Sequence, residues 1–383
     1  MEESEYSILK TSPLEGRGCL LESVTDKEIT EIYVPSEITV IGERAFQGCE
    51  RLRRVEMSNG VKVMRKYTFS MCASLETVVL SAALDSIPVF AFAGCSSLKE
   101  VILAEEDEKC IDDGEINEIT PDEEDHLNIG LGAFQGCTAL ERICIPKKIT
   151  QIATNAFMGC ISLRQINIPD DFKAISSCAF RGCASLSEIK LPKGLLEIKA
   201  NAFAHCRGLT EIEIPESVST IENDAFYGCN ALTKISLHDT LTELGDRAFS
   251  DCSSLYRVKL PRNITKLGDG LFCYCTALAE IEIPESVSTI GNDAFYGCTA
   301  LKQIALPRGV TEIDSYAFAK CSALTSLEIP DTVERIQGRA FKKCKSLKEI
   351  TFRGTRRKWR RLLLKSALKN PRLLFTRVRF IAS

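Results

Sequence analysis

The sequence predicts an α/β repeat solenoid, a fold built by stacking many copies of one short unit. Thirteen phenylalanines recur mostly every 23 residues, a cysteine follows each of them three residues later, and one apolar pattern repeats between them. A fixed period of this length marks a solenoid, because a single repeat cannot bury its apolar face until a neighbour stacks on it. The thirteen are Phe46, Phe69, Phe92, Phe134, Phe157, Phe180, Phe203, Phe226, Phe249, Phe272, Phe295, Phe318 and Phe341.

Each repeat follows the pattern AFxxCxxLxxIxIPxxVxxIxxxAF, as in the unit that begins at Phe203. The Ile-x-Ile alternation predicts a short strand, and the proline after it, such as Pro215, helps to end the strand because it has no N–H. The Val-x-x-Ile pair predicts a second short extended segment, and AFxxCxxL has the spacing of a single helical turn. A first repeat lacking its phenylalanine occupies 29–41, which gives about fourteen repeats from 23 to 352.

This pattern resembles the leucine-rich repeats of BspA-like surface proteins, over about 330 of the 383 residues. The resemblance implies a right-handed leucine-rich-repeat superhelix with a parallel, concave β-sheet and a convex side of short extended segments and helical turns. Because members of that family are often secreted adhesins, it also implies a cell-surface adhesin or host-recognition protein that binds a macromolecule.

The cysteines and the N-terminal residues leave the cellular compartment open. Thirteen of the 18 cysteines occupy one repeat position, where parallel Cβ vectors suit a disulfide poorly. We therefore expect buried free thiols that serve as small apolar spacers, which favours a reducing compartment. The acidic N-terminus lacks the pattern of a secretory signal, and no apolar run has the length of a membrane span. An intracellular interaction scaffold is thus the alternative to a surface protein.

The outward strand residues are the predicted binding face. They carry charges of both signs, so two interpretations stand: a solvated face that keeps the sheet soluble, and a mixed-charge surface for a macromolecular partner. Tyr33 and Tyr256 are its aromatic candidates, and aromatic residues are the usual hot spots of interfaces. The candidate residues are Tyr33, Arg54, Glu56, Arg142, Gln165, Asn167, Lys190, Glu211, Glu213, Lys234, Tyr256, Arg257, Lys259, Glu280 and Glu282.

An acidic insertion interrupts the period between Phe92 and Phe134, where the interval is 42 residues instead of 23. We place the insertion at 104–122, and the stretch 105–125 contains twelve carboxylates and one lysine. Its residues do not follow the spacing of a calcium-binding loop. A disordered acidic loop, weak binding of a divalent cation and docking of a basic partner are the three interpretations.

The chain ends are predicted to be caps, at 1–22 and, with a strongly basic character, at 353–383. From Arg353 to Arg379 there are eleven basic and no acidic residues. Gly354, Thr355 and Trp359 indicate a turn followed by an amphipathic helix, and the alternation after Pro371 indicates a strand. The charge is not needed for capping, so a second hypothesis is an anionic partner: the acidic loop of another copy, RNA or anionic lipid. Its candidate contacts are Arg356, Arg357, Lys358, Arg360 and Arg361.

Catalysis is not expected. None of the three histidines lies in a metal-ligand spacing or near a nucleophile motif, and the chain has no phosphate-binding or dinucleotide-binding motif. The net charge of −4 argues against wholesale binding of nucleic acid. The sequence therefore predicts a monomer without enzyme activity or cofactor, whose function is to bind a protein or another macromolecule.

Overall fold

The described residues form a parallel-strand solenoid of about 13 turns, mostly sheet with little helix. The computed structural model describes residues 8–14, 18–103, 127–143, 145, 149–366, 370–374 and 376–381. The acidic insertion at 104–122 and Cys144 lie outside these residues. The chain divides into two compact units, the first made of Met1–Phe172 and Ser176–Ile189, the second of Lys173–Ile175 and Lys190–Ser383.

Unit 1 contains twelve described strands in three sheets. In chain order they are β1 (Leu9–Pro13), β2 (Cys19–Val24), β3 (Glu31–Val34), β4 (Ile38–Ile41), β5 (Arg54–Met57), β6 (Val63–Met64), β7 (Thr77–Leu80), β8 (Glu100–Leu103), β9 (Leu127–Ile129), β10 (Arg142–Ile143), β11 (Ile149–Ile152) and β12 (Gln165–Ile166). The sheets have the orders β1-β2-β4-β6, β3-β5-β7-β8-β10-β12 and β9-β11. All of these pairs are parallel except the antiparallel hairpin β1-β2.

Unit 2 contains sixteen described strands and one α-helix. The strands are β13 (Ala174–Ile175), β14 (Glu197–Ile198), β15 (Glu211–Glu213), β16 (Thr220–Ile221), β17 (Lys234–Ser236), β18 (Glu243–Leu244), β19 (Arg257–Lys259), β20 (Lys266–Leu267), β21 (Glu280–Glu282), β22 (Thr289–Ile290), β23 (Gln303–Ala305), β24 (Glu312–Ile313), β25 (Ser326–Pro330), β26 (Arg335–Ile336), β27 (Glu349–Arg353) and β28 (Arg377–Ile381). The helix α1 is Arg356–Ser366, and a 3₁₀ helix follows at Pro371–Leu374.

Most complete repeats contribute to two ladders of strands. The Ile-x-Ile segments form the first ladder, such as β15 beside β17, with Ile212 buried between exposed Glu211 and Glu213. The Val-x-x-Ile segments form the second ladder, such as β20-β22-β24-β26, which confirms the predicted second extended segment. The proline usually follows the first-ladder strand, but Pro330 lies inside β25, where its backbone pairs with Arg353 of β27.

Stacked phenylalanine rings form the core of each unit. In unit 2 the ring centroids from Phe203 to Phe341 follow one another at 5.2–5.7 Å, with rings within 17° of parallel. In unit 1, Phe92 and Phe134 stack at 5.2 Å and 4°, so the longer interval between them leaves the stack intact. Such aromatic pairs contribute about 0.5–1.5 kcal/mol each beyond their buried area.

The repeated cysteines pack beside these rings and also donate hydrogen bonds. The Sγ of Cys252 lies 3.2 Å from the carbonyl oxygen of Phe226 in the preceding repeat, and the same contact recurs along both units at 3.0–3.5 Å. The sequence predicts an apolar spacer, and the structure adds this weak donor role. None of the sixteen cysteines among the described residues forms a disulfide.

The segment x-A-F-x-x-C is a tight turn rather than a turn of α-helix. Its N–H groups bond to carbonyls three residues earlier, as Cys298 does to Phe295 at 3.2 Å, and to the next repeat, as Phe295 does to Ala317 at 2.7 Å. The residue two before each phenylalanine and the residue two after it have positive φ in most repeats. Their side chains, with that of the residue after the phenylalanine, form what we call the turn face.

The two ends of the described chain differ from the repeats between them. The hairpin β1-β2 extends the second ladder of unit 1, since β2 pairs with β4. At the other end, Thr355 accepts a hydrogen bond from the N–H of Lys358 and begins α1, as the sequence predicts. Trp359 is buried against Phe352, with ring centroids 5.1 Å apart, and β28 adds a parallel strand beside β27.

Candidate functional site

The first-ladder face of unit 1 is polar and partly neutralised by its own ion pairs. Arg54 lies 3.1 Å from Glu56 on the same strand, and Arg142 lies 3.5 Å from Glu100 on the neighbouring strand. Gln165 donates a hydrogen bond to Glu188 at 3.2 Å. These side chains are therefore engaged with each other, as expected of a solvated face.

Asn167 and Tyr33, two predicted residues of this face, differ in their availability. The amide of Asn167 accepts from the N–H of Ile145 at 3.1 Å and donates to its carbonyl at 3.3 Å, so it is committed to the backbone. Tyr33 is the outward aromatic residue of β3, and half of its surface, 50%, is exposed. Tyr33 is therefore an exposed aromatic residue on the first-ladder face of unit 1.

The first-ladder face of unit 2 carries more unpaired charge. Strand pairing places Glu211 beside Lys234, and Lys259 beside Glu282. Across these rungs the described residues contain one ion pair, Arg257–Glu280 at 3.7 Å. The other charged candidates of the face, all exposed, are Glu211, Glu213, Lys234, Lys259 and Glu282.

Lys190 and Tyr256 lie outside the described strands. Lys190 is exposed, but the backbone at 186–192 is not paired into a strand. Tyr256 precedes β19 and is 53% exposed, so it flanks the charged rungs that begin at Arg257. Both residues remain accessible, although neither occupies the outward strand position that the repeat pattern predicts.

The basic residues predicted to contact an anionic partner all lie on α1 and are exposed. Lys358 pairs with Asp331 at 2.6 Å, which holds the pKa of that carboxyl below its usual range, and the guanidinium of Arg356 lies 5.6 Å from the Phe380 ring centroid. Arg357, Arg360 and Arg361 form no ion pair with any described residue. The first turn of α1 contains basic residues and no acidic residue. Its positive charges therefore interact unfavourably with the partial positive charge at the N-terminal end of the helix.

The aromatic residues that sequence analysis missed lie on the turn face. In unit 1, Tyr67 stacks on Phe90 at 5.4 Å, and the guanidinium of Arg44 lies 4.5 Å from the Tyr67 ring. Unit 2 carries more: Tyr227, Tyr274, Tyr296 and Tyr316 all project here, several beside cations. The sequence contains a signal for them, because these tyrosines adjoin the repeated Phe and Cys, but they lie outside the outward strand positions of the repeat pattern.

Burial lowers the reactivity of the cysteine thiols. Burial raises the pKa of Cys72, Cys137 and Cys344 to about 12, and that of Cys273 to about 11. Thiolate, the reactive form, is therefore scarce at neutral pH. Within the described ranges no group of three or more His, Cys, Asp or Glu side chains could hold a metal ion. Over those same ranges, no helix has the length and apolarity needed to cross a membrane.

Two ladders of short parallel strands on a 23-residue period define a leucine-rich-repeat protein. The chain belongs to the BspA-type family, since the model described as a BspA type leucine rich repeat region of six copies matches residues 23–124, 107–230, 173–298 and 265–361. Proteins of this family are generally non-catalytic repeat modules. No match was found among curated proteins.

Solved structures of bacterial leucine-rich repeat proteins resemble the chain along most of its length. One from Bacteroides ovatus is 24% identical, with 97% of this chain and 98% of that protein covered and a TM-score of 0.72. A leucine rich cell surface protein from Faecalibacterium prausnitzii is 23% identical, with 93% and 96% covered and a TM-score of 0.53. One from Eubacterium ventriosum is 22% identical, with 86% and 89% covered and a TM-score of 0.50. At these identities the likeness establishes the fold.

Proposed function

We propose that the chain is a non-catalytic interaction module that binds a macromolecular partner on its first-ladder face. The observation that carries the proposal is the unpaired charge of unit 2, where Glu213, Lys234, Lys259 and Glu282 are exposed and form no ion pair with described residues. The rungs that hold them are fixed by parallel strand pairing over a closely packed core. Charges held on a rigid backbone can select a partner of complementary charge. Little conformational entropy is lost on binding, because the backbone that carries them is already ordered.

Cross-linking from this face tests the proposal. A photoreactive amino acid is placed at Tyr256, or, as a control, at Glu243 on the exposed second ladder, and the full chain is irradiated with cells that produce it. We expect a defined adduct from position 256 that is lost when Lys259→Glu and Glu282→Lys are added. Equal adducts from both positions, or adducts that survive the charge reversal, would contradict the proposal.

The family supports a role at the cell surface, as an adhesin or host-recognition protein, and the Faecalibacterium neighbour is described as a cell surface protein. The free thiols support the alternative, an intracellular scaffold. Labelling of intact producing cells with an impermeant amine reagent separates the two. Strong labelling of the protein before lysis supports the surface role, and labelling that requires lysis supports the scaffold.

A second candidate function is binding of an anionic partner by α1, favoured by the exposed and unpaired Arg357, Arg360 and Arg361. Such binding would weaken steeply with added salt. Phosphatidylserine vesicles and a short RNA are suitable probes, with the triple variant Arg357→Gln, Arg360→Gln, Arg361→Gln as the comparison. Loss of binding in that variant would support this second function, and unchanged binding would contradict it.

A further inference from the structure

The turn face of unit 2 places bulky residues where the backbone favours glycine. Tyr274, Tyr316, Lys320 and Arg339 have φ of 59°, 58°, 61° and 64°. Two residues after the phenylalanine, where Tyr274 and Lys320 lie, seven other repeats have glycine, as at Gly228. Two residues before it, where Tyr316 and Arg339 lie, the described repeats have glycine only at Gly132 and Gly270. The left-handed conformation costs an L-residue about 1–2 kcal/mol. At the position of Tyr274 and Lys320 the turn accepts glycine, so the backbone does not require these two side chains.

Tyr274 reaches across a whole repeat because the next one has glycine in its path. A Cβ on Gly297 would come within 2.9 Å of the Tyr274 ring, and Gly297 itself has a φ of 76°. The ring thereby extends to Lys320, two repeats along, whose ammonium lies 3.4 Å from the Tyr274 hydroxyl. The backbone supports this arrangement, since the N–H of Tyr274 donates to the carbonyl of Tyr296 at 2.7 Å.

Lys320 is held between two aromatic rings. Its ammonium lies 4.7 Å from the Tyr296 centroid and 5.5 Å from that of Tyr274, and the two rings meet edge to face at 5.2 Å. The hydrogen bond from Lys320 lowers the pKa of Tyr296, and the two phenols raise the pKa of Lys320. The lysine is therefore charged at neutral pH and fixed in direction.

The same arrangement continues in the next repeats. Arg339 donates to the Tyr316 hydroxyl at 2.6 Å with its guanidinium 5.8 Å from the ring centroid, and the ammonium of Lys342 lies 5.7 Å from that ring. We call the six side chains the turn patch: Tyr274, Tyr296, Tyr316, Lys320, Arg339 and Lys342.

The cations of the turn patch are paired with rings instead of carboxylates. Within the described residues, Lys320, Arg339 and Lys342 form no ion pair, whereas nearby Arg335 lies 2.6 Å from Glu312. A ring orders a cation without neutralising it. An arriving carboxylate would therefore meet oriented donors and form charge-assisted hydrogen bonds with little loss of side-chain entropy.

We propose that the turn patch is a docking site for an acidic protein segment, a short peptide rich in Glu or Asp. Tyrosine and arginine are the residues that most often dominate protein interfaces. A long, uniform polyanion fits less well, because the turn face also carries carboxylates: Asp224 and Asp251 in the preceding repeats of unit 2, and Asp293 in the repeat of Tyr296. This goes beyond the proposed function, since it uses a different surface from the first ladder.

Binding of fluorescent octaglutamate to the full chain at low salt tests the site. Three variants each remove three positive charges: Lys320→Gln, Arg339→Gln, Lys342→Gln on the turn patch; Lys234→Gln, Arg257→Gln, Lys259→Gln on the first ladder; and Lys62→Gln, Arg164→Gln, Arg207→Gln at scattered exposed positions. We expect the first to weaken binding by about 10-fold or more, and the other two by less than about 3-fold, as loss of net charge alone would do.

A fourth variant separates orientation from charge. Tyr274→Ala with Tyr296→Ala keeps every cation but removes the rings that hold Lys320, and we expect about a 3- to 10-fold loss of affinity. The site is overturned by absence of binding to the original chain, by equal losses in the three charge variants, or by full binding in the tyrosine variant. It is also overturned if a sulfated oligosaccharide binds the turn patch more tightly than octaglutamate does.

Discussion

Replacing one ring of the phenylalanine stack by alanine, Phe272→Ala, should open unit 2 locally. Phe272 is fully buried and stacks at 5.7 Å on both Phe249 and Phe295. Truncating a buried phenylalanine costs about 3–5 kcal/mol, of which two ring pairs account for about 1–3 kcal/mol. The matched change at the last ring of the stack, Phe341→Ala, removes one such pair, at 5.6 Å from Phe318, so it should cost about 0.5–1.5 kcal/mol less.

Hydrogen exchange followed by mass spectrometry is the suitable assay, because repeats that contact mainly their neighbours can open separately. In Phe272→Ala we expect protection to fall by roughly two to three orders of magnitude in the repeats on either side, and to change little near β13. Phe272→Leu retains apolar volume without a ring and should fall between. Equal losses for Phe272→Ala and Phe341→Ala, or a loss spread evenly over unit 2, would refute the reasoning.

Three further predictions concern thiol reactivity, pH and the helix dipole. Burial raises the pKa of Cys273 to about 11 from an ordinary 9.0, so its alkylation at pH 8, followed by mass spectrometry, should be about 100-fold slower than that of a free thiol; a rate near the free value would contradict this. Burial and then Glu312 raise the pKa of Asp314 to about 6 from 3.8. The folded state therefore binds this proton more tightly than the unfolded state, so stability should fall as pH rises through that interval, and Asp314→Asn should raise the urea midpoint above pH 7 but not at pH 3; an equal effect at both would contradict it. Arg357→Glu places a negative charge in the first turn of α1 and should stabilise by about 0.3–1 kcal/mol, whereas Lys365→Glu in the last turn should destabilise; calorimetry giving the same sign for both would contradict the dipole argument.

The repeat period determined the fold. A side chain that recurs every 23 residues must meet its own equivalent in the next turn, so the stacking of the repeats, the burial of the repeated cysteines and the two strand positions could be predicted from the sequence pattern. The C-terminal helix and strand were also predicted, from Trp359 and the alternation after Pro371. In each case the decisive interactions are local or fall on identical positions of adjacent repeats.

The tertiary structure decided which exposed residues are available. Alternation predicted that Asn167 faces outward, but it did not predict that its amide binds the backbone of Ile145. The alternation also did not predict that the Tyr274 side chain would extend over Gly297 to contact Lys320, because that contact joins residues 46 positions apart. Such contacts depend on backbone conformation and on the size of the residue between, neither of which a repeat pattern contains. The sequence therefore determined the stacked repeats, and the tertiary structure determined which of their exposed side chains already contact other residues.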